Sequence, residues 1–148
     1  MNAEEKKSDF YFHHGIRFAV KNIPFWEGAK RGELLIHQCK DCGNKMFPPR
    51  WYCTNCMSEN IDWIKVSGKG KVHTFSIAYE YPPTRVAKFL ATPYVPVLID
   101  LEEGVRMVSV IVGCKPEDVK IDMDVEVEFE DIGEDVLLPR FKPSASSS

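Results

Sequence analysis

Long apolar runs are absent from this sequence. No stretch approaches the roughly 20 apolar residues that a helix needs to cross a bilayer. The opening segment, MNAEEKKSDF, is charged where a secretory signal would turn apolar. We therefore expect a cytoplasmic protein without a membrane segment.

An excess of positive charge is also absent. The net charge is −3, and residues 68–148 carry nine basic and fourteen acidic side chains, against ten and eight in residues 1–67. Proteins that track phosphates usually present a basic face, because neutralising phosphates and releasing counterions supplies most of their affinity. Nucleic-acid binding is therefore expected only if a local basic patch overrides this charge.

Recognisable catalytic signatures are missing too. The sequence has no nucleophile motif, no paired-carboxylate spacing and no glycine-rich phosphate loop. We interpret His73, which lies in a predicted strand, as a side chain satisfied by a neighbouring strand rather than as a general base. Cys114 stands alone and is interpreted as a small buried hydrophobe. An independent enzyme is not predicted.

The cysteines are few but patterned. Four of the five lie in two C-x-x-C pairs, Cys39–Cys42 and Cys53–Cys56, separated by ten residues. In a reducing compartment, such cysteines are more typical of metal ligands or catalytic groups than of disulfides. A hairpin between the pairs can bring the four thiolates together around one ion.

A structural metal site is the prediction from these four cysteines. Four thiolates close a tetrahedral coordination sphere and leave no position for a substrate water. Zinc is the expected ion, iron is the competing one, and a redox dithiol explains two matched pairs less well. Gly43 can take the left-handed conformation that turns backbone N–H groups toward sulfur. Met57 stands at the equivalent place after the second pair, so we expect a less regular turn there.

The N-terminal residues 1–32 are predicted to form a helical arm. Residues 10–21, FYFHHGIRFAVK, place aromatic and basic residues at helical spacing. Asn22 then suits a helix cap and Pro24 a first turn, which predicts a second short helix ending near Gly32.

A mainly β fold is predicted for the rest of the chain. Residues 33–67 form a rubredoxin-like metal ribbon, which begins with a strand over 33–38. Residues 68–143 form a five-stranded OB-fold barrel with its own core, and residues 144–148 a disordered tail. The barrel strands are predicted at 71–79, 94–101, 105–113, 124–131 and 136–141, with a hairpin at 102–104 and a helical turn at 116–120.

The order of these features resembles a known family. The segments FWEGAKRGELLIHQC, CGNKMFPPRWYCTNC and SGKGKVHTFSI, followed by a barrel and a closing LPRFKP, are similar to the acyl-CoA-associated proteins that join a rubredoxin-like zinc ribbon to an OB fold. The similarity covers roughly residues 24–143. One departure is Asp122, where the turn before the fourth barrel strand commonly has glycine. The matching positions are the four cysteines, Phe47, Pro48, Pro49, Arg50, Gly68, Gly70, Pro139 and Phe141.

The resemblance implies a non-catalytic subunit that acts with a thiolase-like or hydratase-like enzyme and binds an acyl-CoA thioester. Such a ligand needs cations for its phosphates and an aromatic or apolar surface for adenine and pantetheine. Local packing over the metal is an equal alternative for the ribbon residues. The candidate contacts are Arg50 and Trp51 in the ribbon, and Tyr79, Tyr81, Arg85 and Lys88 in the first long barrel loop.

Two other functions stay open. Zinc ribbons and OB folds both bind RNA or single strands elsewhere, although fold alone is only analogy. Single-strand binders pair a basic groove with stacking aromatics, and here the aromatics come with an acidic barrel. The chain could also contribute to an enoyl-CoA hydratase active site shared with another subunit.

Overall fold

The computed structural model describes residues 10–13, 16–19, 22–80, 92–133 and 136–144, with side chains described from residue 22 onward. This part of the chain is mainly β, with one short α-helix and a closed five-stranded barrel. None of its helices has the length and hydropathy required to span a membrane. The elements are β1 (Phe10–His13), β2 (Ile16–Ala19), α1 (Ile23–Lys30), β3 (Leu34–Cys39), β4 (Lys45–Met46), β5 (Ile61–Val66), β6 (Lys69–Phe75), β7 (Val95–Leu101), β8 (Arg106–Ile111), β9 (Asp124–Asp131) and β10 (Leu137–Pro143).

The helix predicted over residues 10–21 is wrong. Strands β1 and β2 pair antiparallel there, with Phe10 opposite Ala19. Five of the eight strand residues are aromatic or β-branched, and such side chains lose rotamer freedom in a helix but fit a pleated strand. The period of aromatic and basic residues was therefore misleading.

The second predicted helix is confirmed as α1. Its first turn contains Pro24, as expected, whereas Asn22 at the cap position makes no side-chain capping bond. The buried face consists of Phe25, Gly28 and Ala29. The N-terminal segment thus combines a hairpin with one short helix. Residues 145–148 of the predicted tail lie outside the described residues.

The ribbon is a three-stranded antiparallel sheet in the order β4–β3–β5. Its central strand β3 is paired from Leu34, opposite Val66, to Cys39, opposite Ile61. The predicted strand leading into the first cysteine pair is therefore confirmed. The last residue of β3, Cys39, is a predicted metal ligand. The position of β3 and that of the cysteine cluster therefore depend on each other.

The OB-fold prediction is confirmed by the closed strand order β10–β8–β7–β6–β9. All neighbours pair antiparallel except β8 and β10, which pair in parallel. The hairpin at residues 102–104 joins β7 to β8, and a 3-10 turn at Pro116–Asp118 occupies the predicted helical turn. Asp122 holds the left-handed conformation with φ 63°. The turn before the fourth barrel strand therefore keeps its conformation although Asp stands where glycine is common.

The barrel does not have a core of its own, contrary to expectation. One cluster of buried side chains contains Phe25, Leu34, Ile36 and Val66 from the arm and ribbon together with the barrel interior. The barrel members include fully buried Val72, Ile99, Val125 and Phe141. The apolar start of β3 and one face of α1 thus complete the barrel core.

The junction between ribbon and barrel is tightly packed at Gly68. Its φ of 75° lies in the left-handed region, and an added Cβ would overlap the Val127 Cγ1 atom. The Gly68 carbonyl accepts the Val127 N–H at 2.7 Å, and the Glu103 carboxylate accepts the Ser67 N–H at 2.8 Å. These contacts explain why the sequence places glycine at this boundary.

Replacing Gly68 by alanine tests this packing. Gly68→Ala should lower the free energy of unfolding by more than Gly104→Ala, because Gly104 shares the left-handed conformation (φ 84°) but has open space around its Cα. We expect a loss of about 1 kcal/mol for Gly104→Ala and at least about 2 kcal/mol for Gly68→Ala. Urea unfolding of both zinc-loaded variants measures the difference, and equal losses would contradict the packing argument.

Candidate metal centre and flanking surface

The four predicted ligands are brought together. The Cys39 and Cys56 Sγ atoms are 3.6 Å apart, those of Cys42 and Cys53 are 3.5 Å apart, and all four lie within 4.8 Å of one another. A tetrahedral zinc site with Zn–S bonds of about 2.3 Å requires S···S edges of about 3.8 Å. The cluster therefore fits a four-thiolate zinc site.

The two cysteine turns have the same backbone hydrogen bonds. In the first turn the Gly43 N–H donates to the Cys39 carbonyl at 2.9 Å, and in the second the Met57 N–H donates to the Cys53 carbonyl at 3.0 Å. The Cys39 N–H donates to Asn44, and the Cys53 N–H to Ser58, both at 2.8 Å. The first cysteine of each turn is buried and the second is exposed. The site is thus built from two equivalent halves.

The expected irregularity at Met57 is wrong. Met57 has φ 64°, close to the 78° of Gly43, so it takes the same left-handed conformation despite its Cβ. In each turn the N–H two residues after the second cysteine points back at its sulfur, from Asn44 to Cys42 and from Ser58 to Cys56. Methionine ordinarily avoids a positive φ. The conformation is kept here because it directs these N–H groups to sulfur.

The electrostatics of the cluster favour a bound cation. Burial raises the pKa of the Cys53 thiol, but hydrogen bonds from the Cys56 and Asn55 backbone outweigh it and bring the pKa to about 6. The Ser58 N–H favours the Cys56 thiolate, yet partial loss of solvent at its sulfur and the three neighbouring cysteines raise the pKa of Cys56 to about 12. The Cys53 thiolate therefore forms readily, whereas formation of the Cys56 thiolate is disfavoured by the neighbouring cysteines. A bound divalent metal stabilises all four thiolates and removes this penalty.

Polar side chains outside the cysteines tie the two turns together. The Asp41 carboxylate accepts hydrogen bonds from the Ser58 hydroxyl and, at 3.0 Å, from the Asn60 amide. The Asn44 amide donates to the Thr54 hydroxyl at 3.0 Å. The sequence reasoning missed these residues, whose signal is their position inside each C-x-x-C pair or within four residues after it.

The Arg50–Trp51 loop is attached to the ribbon sheet through His37. The buried His37 ring accepts the Arg50 N–H on Nδ1 at 3.1 Å, and it lies edge-on to Trp63 with 4.1 Å between ring centroids. The Trp51 side chain remains 66% exposed. An exposed aromatic ring and a guanidinium thus lie in the loop that leads into Cys53.

The other predicted ligand contacts follow β6 in the sequence, and only Tyr79 among them lies in the described residues. Tyr79 is 71% exposed and follows Ala78, which pairs with Tyr94 beyond the end of β6. Tyr81, Arg85 and Lys88 lie outside the described residues. The structure thus groups Arg50 with Trp51 in one loop and locates Tyr79 in a separate barrel segment.

The two residues set aside in the sequence have ordinary structural roles. His73 Nδ1 lies 3.1 Å from an Asp100 carboxylate oxygen on the neighbouring strand, and Arg106 pairs with the same carboxylate at 2.6 Å. Cys114 is half-buried, and burial followed by the charge of Asp118 raises the pKa of its thiol. The contact of His73 agrees with its interpretation from the sequence, whereas Cys114 packs against the core but is only partly buried, not fully as predicted.

We expect one zinc ion per chain when the protein is purified under reducing conditions without chelator. Cys42→Ser removes one ligand and should release zinc at chelator concentrations that the parent protein withstands. Because β3 continues from the cysteines into the shared core, hydrogen exchange should accelerate from Cys39 back to Leu34. Elemental analysis and exchange mass spectrometry measure both effects. Absence of zinc and iron from the parent protein would contradict the assignment.

The left-handed residues of the two turns provide a matched pair of variants. Met57→Gly should stabilise the zinc-loaded protein by roughly 0.5–1 kcal/mol, because glycine takes a positive φ without steric cost. Gly43→Ala should destabilise it by a similar amount. Thermal unfolding of the two variants at equal zinc occupancy measures these changes, and a destabilised Met57→Gly protein would argue against strain at this position.

Models of two protein domains match the chain in succession. The ChsH2 rubredoxin-like zinc ribbon domain matches residues 26–62, and the ChsH2 C-terminal OB-fold domain matches residues 63–130. The first region contains most of α1 and the ribbon up to the start of β5, and the second contains the rest of β5 and most of the barrel.

Several named proteins are similar over most of this chain. A DUF35 domain-containing scaffold protein of Methanocaldococcus jannaschii is 40% identical over 82% of this chain and 87% of its own length. The benzoylsuccinyl-CoA thiolase subunit BbsA of Geobacter metallireducens is 32% identical over 84% of this chain and 77% of its own. A probable enoyl-CoA hydratase alpha subunit of Thermomonospora curvata is 33% identical over 81% of this chain, which spans 37% of that subunit.

A solved structure has the same architecture. The chain matches a component of the Ltp2-ChsH2(DUF35) aldolase with a TM-score of 0.73 and 32% identity, covering 82% of this chain and 93% of that one. With both modules matched in order, the chain belongs to the ChsH2 family of zinc-ribbon and OB-fold proteins, which includes the DUF35 scaffold proteins.

Proposed function

We propose that this chain is a non-catalytic scaffold subunit that acts in the cytoplasm with a thiolase-like or hydratase-like enzyme and contacts its acyl-CoA thioester. The observation that carries the proposal is the match to scaffold relatives along nearly their whole length. The chain covers 87% of the M. jannaschii scaffold protein and 93% of the matched aldolase component. Relatives named as a thiolase subunit and a hydratase subunit support the acyl-CoA part of the proposal.

The metal centre supports a scaffold role for the ribbon. Four sulfur atoms at tetrahedral spacing complete the coordination sphere of a zinc ion, and a catalytic zinc needs a free position for water or substrate. We assign the four cysteines as the ligands, namely Cys39, Cys42, Cys53 and Cys56. A zinc held this way contributes folding free energy and fixes the Arg50–Trp51 loop at the edge of the ribbon.

The acyl-CoA contact is proposed at that loop and along the segment after β6. The exposed Trp51 ring offers a stacking surface for adenine, and the adjacent Arg50 offers a cation for phosphate. Tyr79 supplies a second exposed ring. The predicted contacts Tyr81, Arg85 and Lys88 follow Tyr79 in the sequence. Together these residues combine the cationic and aromatic groups that a CoA thioester requires.

The charges of the barrel argue against nucleic acid as the ligand. Four of its basic side chains, those of Lys71, Arg106, Arg140 and Lys142, pair with barrel carboxylates. Paired cations release fewer counterions when a phosphate chain approaches. The barrel therefore lacks the long basic groove of single-strand binders in the part that the structure describes.

We expect CoA thioesters to bind this chain, alone or in complex with its enzyme. Arg50→Ala, Arg85→Ala and Lys88→Ala should each weaken binding by about 1 kcal/mol if they contact phosphate, and higher salt should weaken it further. Each acyl methylene withdrawn from water should add roughly 0.8 kcal/mol. Isothermal titration calorimetry with free CoA and an acyl-CoA series measures these terms.

Lys120→Ala serves as the control, since Lys120 is an exposed cation before β9 and outside the proposed contact. It should leave the affinity unchanged. Equal losses from Lys120→Ala and Arg50→Ala would indicate a nonspecific charge effect. If the complex with its enzyme binds no CoA thioester, the acyl-CoA part of the proposal is wrong.

Nucleic acid should bind weakly and without a specific mode, because the second half of the chain has five more acidic than basic side chains. Fluorescence anisotropy with short single-stranded DNA and RNA at physiological salt measures this. Submicromolar affinity for either strand would replace the acyl-CoA proposal with the nucleic-acid alternative.

A further inference from the structure

Arg140 is a charged side chain that the barrel buries. It lies on β10 opposite Glu128 of β9, and cross-strand partners share one face of a sheet. Glu128 and Glu130 on this face remain half-exposed, whereas Arg140 is only 9% exposed. Taking a charge out of water is costly unless its polar groups find partners. The N–H groups of this guanidinium therefore need acceptors in the protein or in a ligand.

The protein uses only part of this guanidinium. The Arg140 Nε donates to Glu130 Oε2 at 2.9 Å. A guanidinium has five N–H donors, and those on the two Nη atoms of Arg140 have no partner within the described residues. Arg106 differs, because it binds the Asp100 carboxylate with both Nε, at 2.6 Å, and Nη2, at 3.3 Å. Arg140 thus keeps the end of its fork free, and Arg106 does not.

A pocket of about 280 Å³ adjoins the free end of this guanidinium. The pocket is lined by Val112, Glu128, Phe129, Glu130 and Arg140. In the described residues the one enclosed side-chain polar atom without a partner is Glu103 Oε2, so the Nη atoms of Arg140 reach open space. Because the rest of the Arg140 side chain is buried, that space is the pocket. It lies at the seam of the barrel, where β8 pairs with β10 through Ile111 and Phe141.

The charges around the pocket cancel. Glu130 is paired with Arg140, and Glu128 is paired with Lys142, whose Nζ lies 3.4 Å from Glu128 Oε1. The second oxygen of each carboxylate, Glu128 Oε2 or Glu130 Oε1, has no hydrogen bond to the part of the chain that the structure describes. The pocket therefore offers hydrogen-bond donors and acceptors side by side without a net charge.

This arrangement selects the chemistry of a ligand. A phosphate or another anion would meet two carboxylates, and a cation would meet the guanidinium. A neutral group that both accepts and donates meets neither repulsion. A secondary amide is such a group, since its carbonyl can accept from an Nη atom while its N–H donates to a carboxylate oxygen. The carbons on either side of the amide can contact Val112 and Phe129, the apolar part of the lining.

We propose that the pocket formed by Arg140, Glu130 and Glu128 at the barrel seam binds a secondary amide within an extended chain. Two sources carry this group, namely the pantetheine arm of a CoA thioester and the main chain of a peptide. Binding at this pocket goes beyond the proposed scaffold function and does not require it.

Small amides test the pocket by NMR on the full-length, zinc-loaded chain. The probes are N-methylacetamide, N,N-dimethylacetamide, which lacks the N–H, and acetate, which is an anion. N-methylacetamide should shift the Arg140 Nε–H resonance and the amide resonances of Val112 and Phe129 in a saturable way. Dimethylacetamide should bind about fivefold more weakly, which is the effect of about one lost hydrogen bond. Acetate should bind no better than dimethylacetamide.

A pair of arginine variants locates the donor. Arg140→Lys should weaken binding of N-methylacetamide at least about fivefold, because an ammonium lacks the planar fork of donors. Arg106→Lys is the matched control, since Arg106 also pairs with a carboxylate on a neighbouring strand but lies outside the pocket. It should leave the affinity unchanged. The dispersion of the amide spectrum shows whether each variant is folded, and the comparison of probes on the parent chain needs no variant.

Pantetheine and a short peptide blocked at both ends distinguish the two sources. Binding of either one at Arg140, more tightly than N-methylacetamide, supports the site and identifies the chain that carries the amide. The proposal would be overturned by the absence of a saturable shift with N-methylacetamide, by equal affinity for the three probes, or by stronger binding of acetate. Equal losses from Arg140→Lys and Arg106→Lys would overturn it as well. None of these measurements involves the enzyme subunit, so failure here is distinct from failure of the scaffold function.

Discussion

The convergence of four sulfur atoms on one point is the constraint on which the ribbon depends. The metal end of the ribbon has a core of Cys39, Cys53 and Met46, with Ile61 packed against it, which is too little apolar surface to fold a module. A structural zinc ion contributes on the order of 10 kcal/mol and replaces the missing core. The equivalent hydrogen bonds of the two turns show how the backbone is arranged around this ion, down to the left-handed conformation of Met57.

The effect of the metal site extends to the barrel because β3 belongs to both modules. Its last residue, Cys39, is in the cysteine cluster, and its first residues, Leu34 and Ile36, are buried in the cluster of side chains that fills the barrel. The close contact between Gly68 and Val127 provides a second fixed point between the ribbon and the barrel. A rigid connection of this kind suits a scaffold, whose contribution is to hold surfaces at fixed positions for an enzyme.

The sequence predicted the parts of the fold that follow from local chemistry. Two matched C-x-x-C pairs favour a single four-thiolate site, and alternation in Asp124–Asp131 indicates a strand with one solvent-facing side, so the ribbon and the barrel were both predictable. The hairpin β1–β2 was missed because its aromatic residues also fit a helical period. The shared core depends on which strands become neighbours, and that information is not contained in the pattern of any single strand.

The central claim is that this chain supports an acyl-CoA enzyme without performing the chemistry. Steady-state turnover of the purified thiolase-like or hydratase-like partner tests it most directly, measured alone, with the zinc-loaded chain and with the chain stripped of zinc. The account predicts that activity rises with the zinc-loaded chain and saturates at a fixed stoichiometry, that the stripped chain gives little of this gain, and that the chain alone has no activity. An enzyme equally active in all three mixtures, or turnover by the chain alone, would contradict it.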